Sequence, residues 1–111
     1  MTTLEKIHRL ERYLANFVPE NEPTIDTAID KLLNREELRL RQLLQTLRLQ
    51  LAGFESQYGM NSDTFILRFN NGELGDDMDY QEWSATVEML ANAERHLRHL
   101  RMEEIEHESA H

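Results

Sequence analysis

The strongest constraint on the fold is a row of large apolar residues whose spacings are three, four and seven. Such spacings return to one face of an α-helix, so the stretch is predicted to form one long helix with a coiled-coil-like seam. The row consists of Leu33, Leu40, Leu44, Leu47, Leu51, Phe54 and Tyr58.

Further leucines at 32, 38, 43 and 49 widen the apolar surface of this helix, which predicts packing on more than one side. Gly59 follows the row and favours a helix end, because glycine adopts positive φ without steric cost. Asn34 with Glu37 could also cap a new helix, so a break near Asn34 stays open as an alternative.

A separate helix is predicted near the N-terminus, where Leu4, Ile7, Leu10 (or Glu11) and Leu14 share one helical face. Thr2 and Glu5 have the capping-box spacing, which places the helix start there. Two prolines between Val18 and Pro23 end it, because proline cannot donate the backbone hydrogen bond that a helix needs.

A short helix, about Ser62 to Asn70, is predicted after Gly59, with Asn61 as its N-cap. Met60 and Phe65 have the spacing of a hydrophobic staple around that cap, and Gly72 favours the helix end.

A last helix is predicted to follow the loop, with Asp79 and Glu82 as a second capping box and Met78 and Trp83 as a second staple. Its apolar face is predicted to carry Trp83, Val87, Leu90, Ala93, Leu97 and Leu100.

The predicted fold is therefore all-α: a long helical hairpin with a short intervening helix and an added N-terminal helix, dimerising through its leucine surplus. The 111 residues suit one domain, with 1–22 as the N-terminal helix and linker, 24–103 as the helical core and 104–111 as a frayed tail. Apolar residues make up 40% but aromatics only 7%, which favours helices over sheets.

Charge and composition restrict the classes of partner. The formal net charge is -9, so most of the surface would repel a nucleic-acid backbone, and a nucleic-acid partner is not expected. There is no cysteine, no apolar stretch as long as a membrane span and no signal-peptide core at Met1–Lys6. A cytoplasmic protein without a membrane partner is therefore expected.

Two groups of side chains could carry metal chemistry, and each has a simpler structural explanation. The carboxylates Glu73, Asp76, Asp77 and Asp79 could hold a hard cation, but aspartates before a helix also act as caps. The side chains of His96, His99, Glu103 and His107 recur on one helical face, but among charged neighbours they indicate a solvated surface.

The common nucleophile and nucleotide-binding motifs do not occur in the sequence. We therefore expect no catalytic residues, no metal site, no cofactor and no enzymatic activity.

A longer pattern carries a family resemblance. The run Phe54-Glu55-Ser56-Gln57-Tyr58-Gly59-Met60-Asn61-Ser62-Asp63-Thr64-Phe65 is followed by Arg68-Phe69, by Gly72-Glu73-Leu74-Gly75-Asp76-Asp77-Met78-Asp79-Tyr80 and by Glu82-Trp83-Ser84. It resembles a group of small prokaryotic proteins encoded as the smaller, antitoxin-like member of toxin–antitoxin-type gene pairs. The resemblance covers about Leu47 to Leu90 and departs from the usual pattern at Asn61, where serine is common.

What the resemblance implies is a non-catalytic chain that neutralises a partner toxin encoded next to it. The partner-binding residues are predicted to be Phe65, Phe69, Leu74, Asp76, Asp77 and Trp83. The homodimer interface is predicted to be Leu33, Leu40, Leu44, Leu47 and Leu51. Two rivals remain: a structural coiled-coil adaptor, for which the leucine seam is sufficient, and a metal-dependent enzyme.

Overall fold

The computed structural model describes residues 1–20 and 22–101 and shows an all-α protein. Within these ranges the chain forms α1 (Thr3–Phe17), α2 (Pro23–Tyr58), α3 (Ser62–Asn70) and α4 (Met78–Arg101), with no strand. The predicted tail, 104–111, lies outside the described residues. The fold class expected from the apolar periodicity is thereby confirmed.

The chain divides into two compact units, with the boundary between Asn34 and Arg35. This boundary falls at the position where a helix break was the alternative. The helix itself has no break there: α2 runs continuously from Pro23 to Tyr58.

The first unit contains α1 and the start of α2. The Thr2 side chain accepts a hydrogen bond from the Glu5 amide at 3.1 Å, so the predicted cap of α1 is confirmed. Helix α2 starts differently from the usual Ser or Asp cap: a Glu22 carboxylate oxygen accepts from the Ile25 amide at 2.6 Å. Pro23 then occupies the first helical position, where its missing N–H costs nothing.

The second unit is a helical hairpin, in which α2 from Arg35 onward lies antiparallel to α4. Leu44 and Leu47 pack with Ala93, and Leu90 and Leu97 close around them. The direction of the helices is also evident from two ion pairs, Arg101 to Glu37 at 3.6 Å and Arg48 to Glu94 at 3.7 Å. The arginines are exposed and the glutamates are only half-buried, so solvent screens both pairs, and the leucines contribute more to holding the hairpin.

The role predicted for the leucine seam needs correction. Of the five leucines predicted to form the homodimer interface, four are buried against the chain's own helices and are therefore not free to form a surface between two copies; they are Leu40, Leu44, Leu47 and Leu51. Leu33 alone of the five is exposed. Periodicity identifies an apolar face but not the helix that covers it, and here α3 and α4 do so. A homodimer, if formed, needs another surface.

No helix in the described ranges combines the length and the apolar character needed to cross a lipid bilayer.

The leucine core yields a matched pair of variants on one helix. Leu47 is 2% exposed and Leu49 is 67% exposed, so both have the same chemistry in opposite environments. Leu47→Ala is expected to lower the free energy of unfolding by roughly 2–5 kcal/mol, because it leaves a cavity. Leu49→Ala is expected to change it by about 0.5 kcal/mol or less. Urea denaturation followed by circular dichroism measures both, and equal losses would contradict this packing.

Candidate protein-binding surface

An aromatic cluster in the second unit surrounds Trp83, whose side chain is fully buried. Its ring stacks on Phe65, with centroids 3.9 Å apart and an interplanar angle of 1°. Phe54 and Tyr58 of α2 lie against the same indole, at centroid distances of 5.5 and 5.8 Å. One side chain of α4 thus joins α2 and α3 through aromatic contacts.

The polar end of Trp83 is also satisfied. Its indole N–H donates to Ser62 Oγ at 2.9 Å, and the Ser62 amide donates to a Glu55 carboxylate oxygen at 2.7 Å. Because Ser62 is the first residue of α3, this chain of bonds fixes the start of α3 relative to α2 and α4. A buried donor with a partner avoids a desolvation penalty of about 1–3 kcal/mol.

Helix α3 has the bounds that the sequence predicts. The Asn61 side chain accepts from the Thr64 amide at 2.8 Å, and Met60 packs in the cluster that contains Phe65, so the predicted cap and staple are both confirmed. The cap and the staple start α3 at Ser62, and from that start Phe65 lies on the helix face that enters the core.

Helix α3 ends in a Schellman motif. The Gly72 amide donates to the Phe69 carbonyl at 3.1 Å, and the Glu73 amide donates to the Arg68 carbonyl at 3.0 Å. Gly72 has a φ of 75°, a conformation that favours glycine. The motif sets the direction in which the next residues leave the helix.

The segment 71–77, called the acidic loop below, is fixed at both ends. At its far end the Asp77 carboxylate accepts from the Asp79 amide at 3.0 Å, so Asp77 caps α4. The Asp76 carbonyl accepts from the Gln81 side-chain amide at 3.0 Å. Leu74, in the middle, is half-buried and packs on the cluster of Leu51, Phe65 and Trp83.

The predicted start of α4 is wrong in two details. Asp77, not Asp79, provides the cap, and Met78 is exposed, not stapled to Trp83. Asp79 instead accepts a short hydrogen bond from the Tyr58 hydroxyl. Aspartates at 77 and 79 offer the same capping chemistry, so local sequence could not choose between them, whereas the distant Tyr58 does.

The hydrogen bond to Asp79 raises the pKa of Tyr58 to about 12, with smaller contributions from desolvation and from the negative charges of Asp79 and Asp77. All of these disfavour the phenolate. The Tyr58–Asp79 hydrogen bond ties the end of α2 to the start of α4, next to the acidic loop.

The predicted partner-binding residues separate into two groups. Phe65 and Trp83 are both 0% exposed and belong to the core, so their side chains are not accessible for the direct contact with a partner that the sequence predicts. Phe69 and Leu74 are half-buried and show part of their surface, while Asp76 and Asp77 are exposed. Only these four are accessible to a partner in this fold.

The groups considered for metal binding do not assemble in the described part of the chain. No cluster of three or more His, Cys, Asp or Glu side chains there has a geometry that could hold a metal ion. His96 and His99 are exposed on α4, whereas Glu103 and His107 lie outside the described residues.

Comparison with known proteins adds no assignment: no family model matches the chain, and no curated protein or solved structure matches it significantly.

The raised pKa of Tyr58 predicts a pH dependence of stability. A tyrosine whose pKa is near 10 in the unfolded chain and about 12 when folded stabilises the fold fully below pH 10. That contribution is lost as the pH rises through 12. The stability difference between the wild type and Tyr58→Phe should therefore be constant below about pH 10 and decline toward about pH 12.

Chemical denaturation at a series of pH values measures this difference, and Tyr13→Phe is the control because Tyr13 is exposed on α1. A difference between wild type and Tyr58→Phe that stays constant across the alkaline range would show that the Tyr58–Asp79 bond does not persist in solution.

Proposed function

We propose that this chain is a non-catalytic protein-binding module and that the acidic loop is its docking surface, as expected of an antitoxin-like neutraliser. The observation that carries the proposal is the fixation of this loop by a Schellman motif, a helix cap and the packing of Leu74. An ordered loop loses little conformational entropy on binding, which favours affinity.

The charge of the loop favours a basic partner. Glu73, Asp76 and Asp77 are exposed, and no residue of the loop is cationic. Opposite potentials raise encounter rates and select orientation more than they raise affinity. A basic protein, such as a toxin that acts on RNA, has the complementary surface. Phe69 and Leu74 beside the carboxylates supply an apolar contact of the kind found at interface centres.

The partner that tests the proposal is the product of the adjacent gene. It should arrest growth when expressed alone and should be harmless when this chain is co-expressed. A harmless neighbour, or one that stays harmful beside this chain, would remove the antitoxin assignment.

Two substitutions test the docking surface with that partner. Asp76→Lys reverses an exposed charge, and we expect association to slow and the Kd to rise by about tenfold. Leu74→Ala should raise the Kd by about thirtyfold, corresponding to roughly 2 kcal/mol for a hot spot. Isothermal titration calorimetry and stopped-flow mixing measure these changes.

Glu88→Lys is the matched control for Asp76→Lys, because Glu88 is exposed on α4 outside the acidic loop. Equal changes in Kd at the two positions would mean that the effect comes from the net charge of the chain and not from the acidic loop. Leu74→Ala must keep the helical circular dichroism of the wild type, since Leu74 also touches the core.

The coiled-coil adaptor remains the second candidate, because the unbroken α2 exposes Leu32, Leu33, Leu38 and Leu49. The same variants separate the two functions: an adaptor that binds along α2 should be indifferent to Asp76→Lys and Leu74→Ala.

A further inference from the structure

The second unit contains a groove that the core does not fill. It lies between α2 and α4, has a volume of about 590 Å³ and is lined mainly by Gly53, Phe54, Ala85, Thr86 and Met89. Glu82 contributes its only charged side chain. No residue of α3 lines it, so the groove is a face of the hairpin that the short helix leaves uncovered.

No packing contact within the chain explains the glycine at position 53. It lies in the interior of α2, where glycine destabilises a helix relative to alanine. A Cβ placed on it would have no neighbour within 4 Å, so no internal contact requires a missing side chain. A glycine that faces an open groove lets another helix approach the backbone closely, and this requirement would come from outside the hairpin.

Helix α1 has the complementary properties. It is amphipathic, none of its residues is buried, and its apolar face exposes Leu4, Ile7, Leu10 and Phe17. The spacing of three residues between Ile7 and Leu10 is typical of helices that dock into grooves.

Charge also favours this occupant. The α1 segment carries Lys6, Arg9 and Arg12 against Glu5 and Glu11, whereas the whole chain has a net charge of -9. A helix with excess cations is suited to a groove whose only charged lining residue is Glu82.

We propose that a second copy of this chain inserts α1 into the groove between α2 and α4, and that the exchange is reciprocal. Two equivalent junctions then form a symmetric dimer, in which Ile7 and Leu10 of each copy cover Phe54 and Met89 of the other. This surface is distinct from the acidic loop, so it leaves the docking surface for a partner free.

Analytical ultracentrifugation of the full chain at micromolar concentration tests the proposal. The wild type should be a dimer. The double substitution Ile7→Glu with Leu10→Glu, and separately Gly53→Leu, should each raise the dimer Kd by roughly tenfold or more. The double substitution Ala15→Glu with Asn16→Glu, and separately Ala52→Leu, are the matched controls, because they add the same charge or a similar bulk at exposed positions of the same helices, and both should remain dimeric. A wild type that stays monomeric overturns the proposal.

Mixing the two defective variants distinguishes reciprocal exchange from any other dimer. A mixed pair keeps one intact junction, formed by α1 of Gly53→Leu and the groove of the Ile7→Glu, Leu10→Glu chain. Mixed dimers should therefore form at concentrations where each variant alone is monomeric. Failure of the mixture to associate, or dimers that neither variant weakens, would overturn the proposal.

Gly53→Ala separates an effect on the dimer contact from an effect on folding. Measured at a concentration where the chain is monomeric, alanine should raise the thermal midpoint, because it is the better helix former and its Cβ has room. The same Cβ should weaken the dimer if a helix approaches there. A higher midpoint with unchanged dimerisation would contradict the close approach.

Discussion

The second unit depends on the stacking of Trp83 between residues of two other helices. Its ring contacts Phe65 of α3 and Phe54 of α2, and its indole N–H bonds to Ser62, so apolar and polar requirements are met by one side chain. Buried aromatics of this size dominate the energetics of a small core. Without this contact a nine-residue α3 would have too few internal hydrogen bonds to persist alone.

From this core the order extends outward to the acidic loop. Phe65 places α3, the Schellman motif at Gly72 directs the chain away from it, and Leu74 returns to the same cluster. The Tyr58–Asp79 bond then ties α4 to α2 on the far side of the loop. A surface built in this way is ordered without a partner, and such preorganisation favours the binding function proposed above.

The sequence predicts most of the local structure, because its signals are local. Asn61, Met60 and Gly72 predict α3 correctly, since each acts within a few residues of its own position. The sequence correctly places Leu44 and Leu47 on the apolar face of α2, but it does not predict that α4 covers this face. The period of apolar residues does not indicate which surface packs against a helix.

The same limit applies to the candidate site. Trp83 and Phe65 have the residue types of interface anchors and of core residues alike, and only the fold assigns them to the core. The groove at Gly53 gives no motif in the sequence, since a lone glycine in a helix has no local pattern. It emerges only when α2 and α4 are placed side by side.

The central claim is that the acidic loop is held in place by the core beneath it, and amide hydrogen exchange of the free protein tests it most directly. The donors are the amides of Gly72, Glu73 and Asp79, each bonded within the loop or at its ends. The account predicts that these amides exchange slowly, with protection close to that of the α3 interior. Exchange at the rate of an unstructured peptide would contradict it.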